Sequence, residues 1–155
     1  MHGMDPLAEL NQRLEQTRKM GGAEKVARHN ARGKLDVRTR IDQLCDPGTF
    51  REIGSIAGVG HYNPDGTLES LTPSNFVFGR GKIDGRDVVV TGDDFTVRGG
   101  SADAMISEKT VQAERMAYEL RLPLIRLIDG TGGSVRTVES IGRTYVPACP
   151  GWDSI

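Results

Sequence analysis

Aromatic residues make up only 5% of this 155-residue chain, and cysteine and histidine are scarcer, with two and three copies. Cys45 and Cys149 stand far apart and outside any CxxC pattern. A disulfide between them stays open, but buried or idle thiols are the expectation. His2, His29 and His61 sit in unrelated settings, so no metal site is indicated. His29 and His61 read as surface or loop residues rather than as ligands. No run approaches the roughly 18 apolar residues of a membrane span. The start, Met1-His2-Gly3-Met4-Asp5, lacks the basic and apolar regions of a signal peptide, so the cytosol is the expected compartment. An excess of either charge is missing as well. Lys and Arg number 20 against 21 Asp and Glu, and the net charge of -1 argues against a general nucleic-acid binder.

What is present suits a soluble globular domain: 37% hydrophobic and 26% charged residues in a chain long enough for one core. Leu7, Leu10 and Leu14 recur at helical spacing, so residues 5–32 are predicted helical, broken at Gly21-Gly22. From Arg18 to Arg40 eight basic residues face two acids, Glu24 and Asp36. A solvated helix face is favoured over an anion-contacting patch there. Val37 to Leu44 reads as a short helix stopped by Asp46-Pro47-Gly48. Phe50 to Val59 is compatible with a strand, and His61 to Ser74 with a loop. Phe76–Ile83 and Arg86–Thr91 flank Asp84-Gly85, a pair suited to a type I′ hairpin turn. Ser101 is placed to cap a helix running to about Arg121, with Ile106, Ala113, Met116, Ala117 and Leu120 on one face. Pro123 then starts an apolar strand, completing a crossover unit that is right-handed by strong preference. A further helix is expected after Ser134, to about Arg143.

Two turns carry the chemical interest. Val88-Val89-Val90-Thr91 runs into the turn from Gly92 to Ser101, and Leu124 to Ile128 into Asp129-Gly130-Thr131-Gly132-Gly133-Ser134. Glycine lets backbone N–H groups turn inward and a ligand approach closely. A helix start just behind adds unpaired donors, so such turns suit a phosphate, a carboxylate or a developing oxyanion. Neither turn is a P-loop, GxGxxG or GxSxG motif. Asp93-Asp94 reads as a hydrated turn whose side chains point apart. For Asp129, capping the turn and orienting a ligand both stay open.

The ordered blocks Arg32–Ile41, Asp46–Phe50, Gly79–Arg86, Asp94–Ser101 and Asp129–Gly133 resemble the carboxyltransferase (β) subunits of biotin-dependent acyl-CoA carboxylases, of the propionyl-CoA and methylcrotonoyl-CoA type. The resemblance implies an α/β, crotonase-like fold of stacked β-β-α units. It implies an N-terminal helical region over residues 1–45 and a partial acyl-CoA-binding domain over 46–155. It also implies that carboxybiotin arrives on a carrier protein, that its carboxyl group moves to the α-carbon of an acyl-CoA, and that backbone N–H groups hold the thioester enolate.

Carried over by position, Gly132 and Gly133 become the oxyanion-donor candidates. Gly130, Thr131, Ser134 and the turn Gly99-Gly100-Ser101 line the substrate, and Lys34 and Arg38 are offered to the CoA phosphates. The loop departs from the commoner Asp-Ser-Gly-Gly-Ala-Arg form of the family. Biotin carboxylase and carrier subunits are the implied partners, and a hexamer the implied assembly, with no nucleic acid and no membrane. Family members continue into a second crotonase-like domain that holds biotin, so this chain is expected to be an N-terminal part. The alternatives are a non-catalytic CoA-ester-binding or carboxylase-assembly module, and a purely structural scaffold.

Overall fold

The computed structural model describes residues 5–101 and 106–129, together with Val135, Val138, Glu139 and Gly142. Three helices come first: α1 (Pro6–Arg18), α2 (Ala23–Asn30) and α3 (Val37–Leu44). Each start has a local cause. The Asp5 carboxylate accepts from the N–H of Leu7, and Pro6 fills the first helical position. Gly22 precedes α2 at φ 95. Asp36 accepts from the N–H groups of Arg38 and Thr39 to cap α3. Burial would raise the Asp36 carboxyl, but these donors and the Thr39 hydroxyl outweigh it and hold it below the usual carboxylate range.

The strands are β1 (Arg51–Ile53), β2 (Gly58–Tyr62), β3 (Leu68–Pro73), β4 (Phe76–Ile83), β5 (Arg86–Asp93) and β6 (Leu124–Leu127), with α4 (Ser107–Leu120) between the last two. They form a four-stranded sheet in the order β1-β4-β5-β6 and a two-stranded sheet β2-β3. The Asp84-Gly85 hairpin forms as expected, with φ 49 and 76 at its two central residues. Asp46, just past α3, accepts from both turn amides, at 3.0 and 2.8 Å. The helix stop and the hairpin tip thus secure each other.

Period-two alternation along β4 and β5 divides the core into two layers. On one face Val77, Val88 and Val90 pack against Val37, Ile41 and Cys45 of the α3 region. On the other, Phe76, Phe78 and Val89 pack against Ala113 and Ala117 of α4. The central valines, Val88 to Val90, are buried, as a strand covered on both sides requires. Cys45 is a free, buried thiol, whose pKa burial raises. Cys149 lies outside the described residues.

Several expectations need correction. Phe50 to Val59 is not one strand: a turn at Gly54–Ala57, closed by the Ala57 N–H to the Gly54 carbonyl, splits it between two sheets. The stretch from His61 to Ser74 is no open loop, because β2 and β3 pair antiparallel around Asn63–Thr67. Ser101 does not cap the long helix. It ends a short 3₁₀ turn, Arg98–Gly100, and the helix starts at Ser107. Leu120 turns outward to 48% exposure, while Ala113 and Ala117 face the core. The helix expected after Ser134 falls largely outside the described residues.

Candidate functional site

β5 and β6 pair in parallel, with Gly92 opposite Leu127. Their C-terminal ends therefore lie side by side, and the turn after β5 and residues Ile128 and Asp129 after β6 leave the sheet at the same end. Clefts at such strand ends are where open α/β sheets receive ligands. Gly92 allows this end to close. A Cβ there would lie 2.5 Å from Val37 Cγ2 of α3.

The first turn is held from beneath. Asp94 is buried and accepts from the Thr96 N–H at 2.9 Å and the Thr96 hydroxyl at 2.6 Å. Burial raises its pKa, and these donors oppose the rise. The buried Asn75 donates to the Ser101 carbonyl at 2.8 Å. Gly21, between α1 and α2, donates its N–H to Thr96 Oγ1 at 2.9 Å, and a Cβ there would overlap the Thr96 carbonyl. Arg98, Gly99 and Gly100 all take positive φ, at 51, 62 and 69. For arginine that conformation is strained, and such strain collects at ligand sites.

Asp93 and Asp94 do point apart, but they are not a hydrated turn. Asp94 is interior, and Asp93 Oδ2 accepts from the Asp129 N–H at 3.4 Å. Burial raises the Asp93 carboxyl as well.

The end of β6 is tied to the N-terminal arm. Asp129 Oδ1 accepts from Lys34 Nζ at 2.7 Å, and its Oδ2 lies 3.3 Å from His29 Nε2. Arg40 donates to the neighbouring Ile128 carbonyl at 3.3 Å. His29 stacks on Phe95 of the first turn at 6.0 Å, and Lys34 Nζ sits 5.3 Å from the same ring centre. His29 is thus a buried residue and not the surface residue expected from its neighbours in sequence. His61 is exposed, as expected. Asp129 is a hub that joins the arm, through Lys34 and His29, to Asp93 at the end of β5.

Of the predicted site residues, Gly99, Gly100 and Ser101 stand together on the first turn. Lys34 reaches the site edge through Asp129. Arg38 is turned away into a half-buried pair with Glu52, at 2.8 Å. Gly130, Thr131, Gly132, Gly133 and Ser134 lie outside the described residues. Sequence reasoning noted Lys25, Arg28 and Arg32 in the basic stretch but favoured a solvated face for them, and it missed His29, Phe95 and Arg98, which line one cavity with them. The spacing of 25, 28 and 32 was the available signal, since it puts three cations on one helical face.

Comparison with known proteins agrees with this arrangement. The family model described as the carboxyl transferase domain matches residues 28–144. The carboxyltransferase subunit of propionyl-CoA carboxylase from Haloferax mediterranei is 37% identical over 141 residues, covering 89% of this chain and 27% of the relative. The biotin-dependent acetyl-/propionyl-coenzyme A carboxylase beta5 subunit of Mycobacterium tuberculosis is 37% identical over 139 residues, covering 88% and 25%. Among solved structures, the transcarboxylase 12S core with hydrolysed methylmalonyl-coenzyme A bound superposes at a TM-score of 0.70. It has 28% identity and covers 88% of this chain and 27% of that one. This chain therefore spans about a quarter of the length of these relatives. The sheet, with helices on both faces and a parallel β5–β6 crossover, is the partial crotonase-like fold of these proteins. By sequence and by fold, the chain belongs to the carboxyl transferase domain family.

Proposed function

We propose that this chain forms part of the acyl-CoA site of a biotin-dependent carboxyltransferase, whose reaction moves a carboxyl group from carboxybiotin to the α-carbon of an acyl-CoA. The observation that carries this reading is the family match across residues 28–144. The adjacent C-terminal ends of β5 and β6, each followed in sequence by a glycine turn, support it. As the α-carbon gives up its proton, negative charge builds on the thioester oxygen, and aimed backbone donors stabilise it without a strong side-chain base. Gly132 and Gly133 are the proposed donors. Gly99, Gly100, Ser101, Gly130, Thr131 and Ser134 are the proposed substrate walls. The two cavities described, one lined by cations and one of about 10 Å³, do not fit the neutral bicyclic ring of biotin, so no step through biotin is assigned to these residues. Biotin carboxylase and carrier partners, a homo-oligomer, and a cytoplasmic location complete the proposal. No helix among the described residues is long and apolar enough to cross a membrane.

Calorimetric titration of the chain with propionyl-CoA tests the reading. Saturable binding is the expected result, and no heat at millimolar ligand would remove it together with the CoA-ester-binding module. In an intact enzyme of this sequence, Gly132→Val is expected to abolish turnover. Unchanged turnover would take that loop out of the mechanism.

A further inference from the structure

Four polar tethers converge on Ile128 and Asp129, just past β6. The Asp129 N–H donates to Asp93 Oδ2 at the end of β5, at 3.4 Å, and the Ile128 carbonyl accepts from Arg40 of α3, at 3.3 Å. That N–H and that carbonyl belong to one planar peptide group, so the group cannot turn over without losing both bonds. The Asp129 carboxylate is held at both oxygens as well. Lys34 Nζ donates to Oδ1 at 2.7 Å, and His29 Nε2 lies 3.3 Å from Oδ2. Packing of the local apolar side chain adds little, because Ile128 is 69% exposed. Polar groups therefore set the orientation here, and His29 and Lys34 supply two of them from the N-terminal arm.

The surroundings of these two residues fit orientation better than contact with a ligand. His29 is buried and stacked on Phe95 of the first turn, and its Nε2 faces Asp129. Lys34 is half exposed, yet its amine is held by Asp129 and lies over the same Phe95 ring. A half-exposed ion pair adds little to global stability, so the main effect of Lys34 is on where Asp129 points. The residues that follow Asp129 in sequence are Gly130-Thr131-Gly132-Gly133. Glycine imposes little conformation of its own, so the direction of such a run is set where it begins.

We propose that His29 and Lys34 are positioning residues for the carboxyltransferase reaction. They fix the carboxylate and the peptide of Asp129, and through them the aim of the backbone donors proposed at Gly132 and Gly133. They do not touch the substrate. The proposal rests on the acyl-CoA reading above.

Two measurements test it together. One is steady-state carboxylation of acetyl-, propionyl- and methylcrotonoyl-CoA by the intact enzyme of this sequence. The other is amide hydrogen exchange in the 155-residue chain. The variants are Lys34→Met, Lys34→Arg, and His29→Phe, which keeps a ring on Phe95. Circular dichroism and the thermal midpoint verify their folding. Should His29→Phe fail to fold, the Lys34 pair, at a half-exposed site, decides alone. Lys34→Met and His29→Phe are expected to lower kcat by at least about tenfold while KM stays within about twofold. Lys34→Arg, which keeps a cation beside Asp129, is expected to restore kcat. In the chain, the Asp129 amide should exchange about tenfold faster in Lys34→Met and His29→Phe, while the β4–β5 amides keep their wild-type rates. A raised KM with kcat kept would make Lys34 a substrate contact and overturn the proposal. So would an unchanged kcat, an unchanged Asp129 amide, or a loss of kcat that Lys34→Arg fails to restore. In each of those cases wild-type turnover leaves the acyl-CoA reading intact. A wild-type enzyme that carboxylates none of the three esters would remove that reading and this proposal with it.

Discussion

Lys109 and Asp129 show how one side chain's surroundings decide its effect. Lys109 is buried, with its Nζ 6.0 Å from the Phe78 ring centre, and lines the cavity of about 10 Å³ with Arg38, Glu52 and Asp94. Burial lowers its pKa from 10.5 to about 8, against the opposing pull of Glu52. The fold therefore disfavours the charged amine. That penalty is full below about pH 8 and is relieved as pH rises towards 10.5. Lys109→Met is expected to stabilise the protein at pH 7, by up to about 3 kcal/mol, with the gain fading towards pH 10.5. Paired urea unfolding curves at pH 7 and pH 10 measure this. A gain that is equal at both would show that packing and not charge is responsible. Asp129 has the opposite character, because its carboxylate serves both Lys34 and the buried His29. Asp129→Ala is expected to cost about 2–3 kcal/mol. Lys34→Met should cost under about 1 kcal/mol, since that amine is half exposed. Equal losses in denaturation would contradict the hub role.

Among the elements, those specified by neighbours in sequence were legible. The helix Val37–Leu44 carries its own cap in Asp36, and the β4–β5 hairpin carries its own turn in Asp84-Gly85. The β2–β3 hairpin was misread because its strands, Gly58–Tyr62 and Leu68–Pro73, are short, polar and weakly alternating. They are steadied by α1, whose Gln12 donates to the Leu68 carbonyl at 3.1 Å. The sheet approaches α3 closely at Gly92. Gly92→Ala is expected to destabilise by about 1–3 kcal/mol through overlap with Val37. Val37→Ala alone costs a buried methyl pair, so the double variant should be less destabilised than the sum of the two by about 1 kcal/mol. Strict additivity in a double-mutant cycle would show that the two residues do not meet.

For the whole molecule, stability is expected to be graded from the sheet centre outward. Val89 and Val90 are fully buried between two helical layers, whereas α1 exposes Leu7 at 61% and rests on the two-stranded sheet. Native-state hydrogen exchange should therefore find the β4–β5 amides slowest and the α1 and β2–β3 amides markedly faster. Uniform protection would contradict that gradient. The same gradient suits the proposed function, because the first turn that would meet acyl-CoA springs from the buried strand β5.

The sequence by itself determined the main elements, the two glycine turns and, through its ordered blocks, the carboxyltransferase family. Those properties are written in local patterns: a cap beside its helix, a turn between its strands, an alternation along a strand. Only the tertiary structure decided that the C-terminal ends of β5 and β6 lie side by side, because that follows from the parallel pairing of the two strands. It also decided that Lys34 meets Asp129, 95 positions away, and that His29 is buried between Asp129 and Phe95. The cationic cavity has the same origin, since Arg98 joins Lys25, Arg28 and Arg32 only when the arm folds back over the first turn. Contacts between residues so far apart leave no mark in local periodicity, so charge, burial and partnership at this site appear only once the chain has packed.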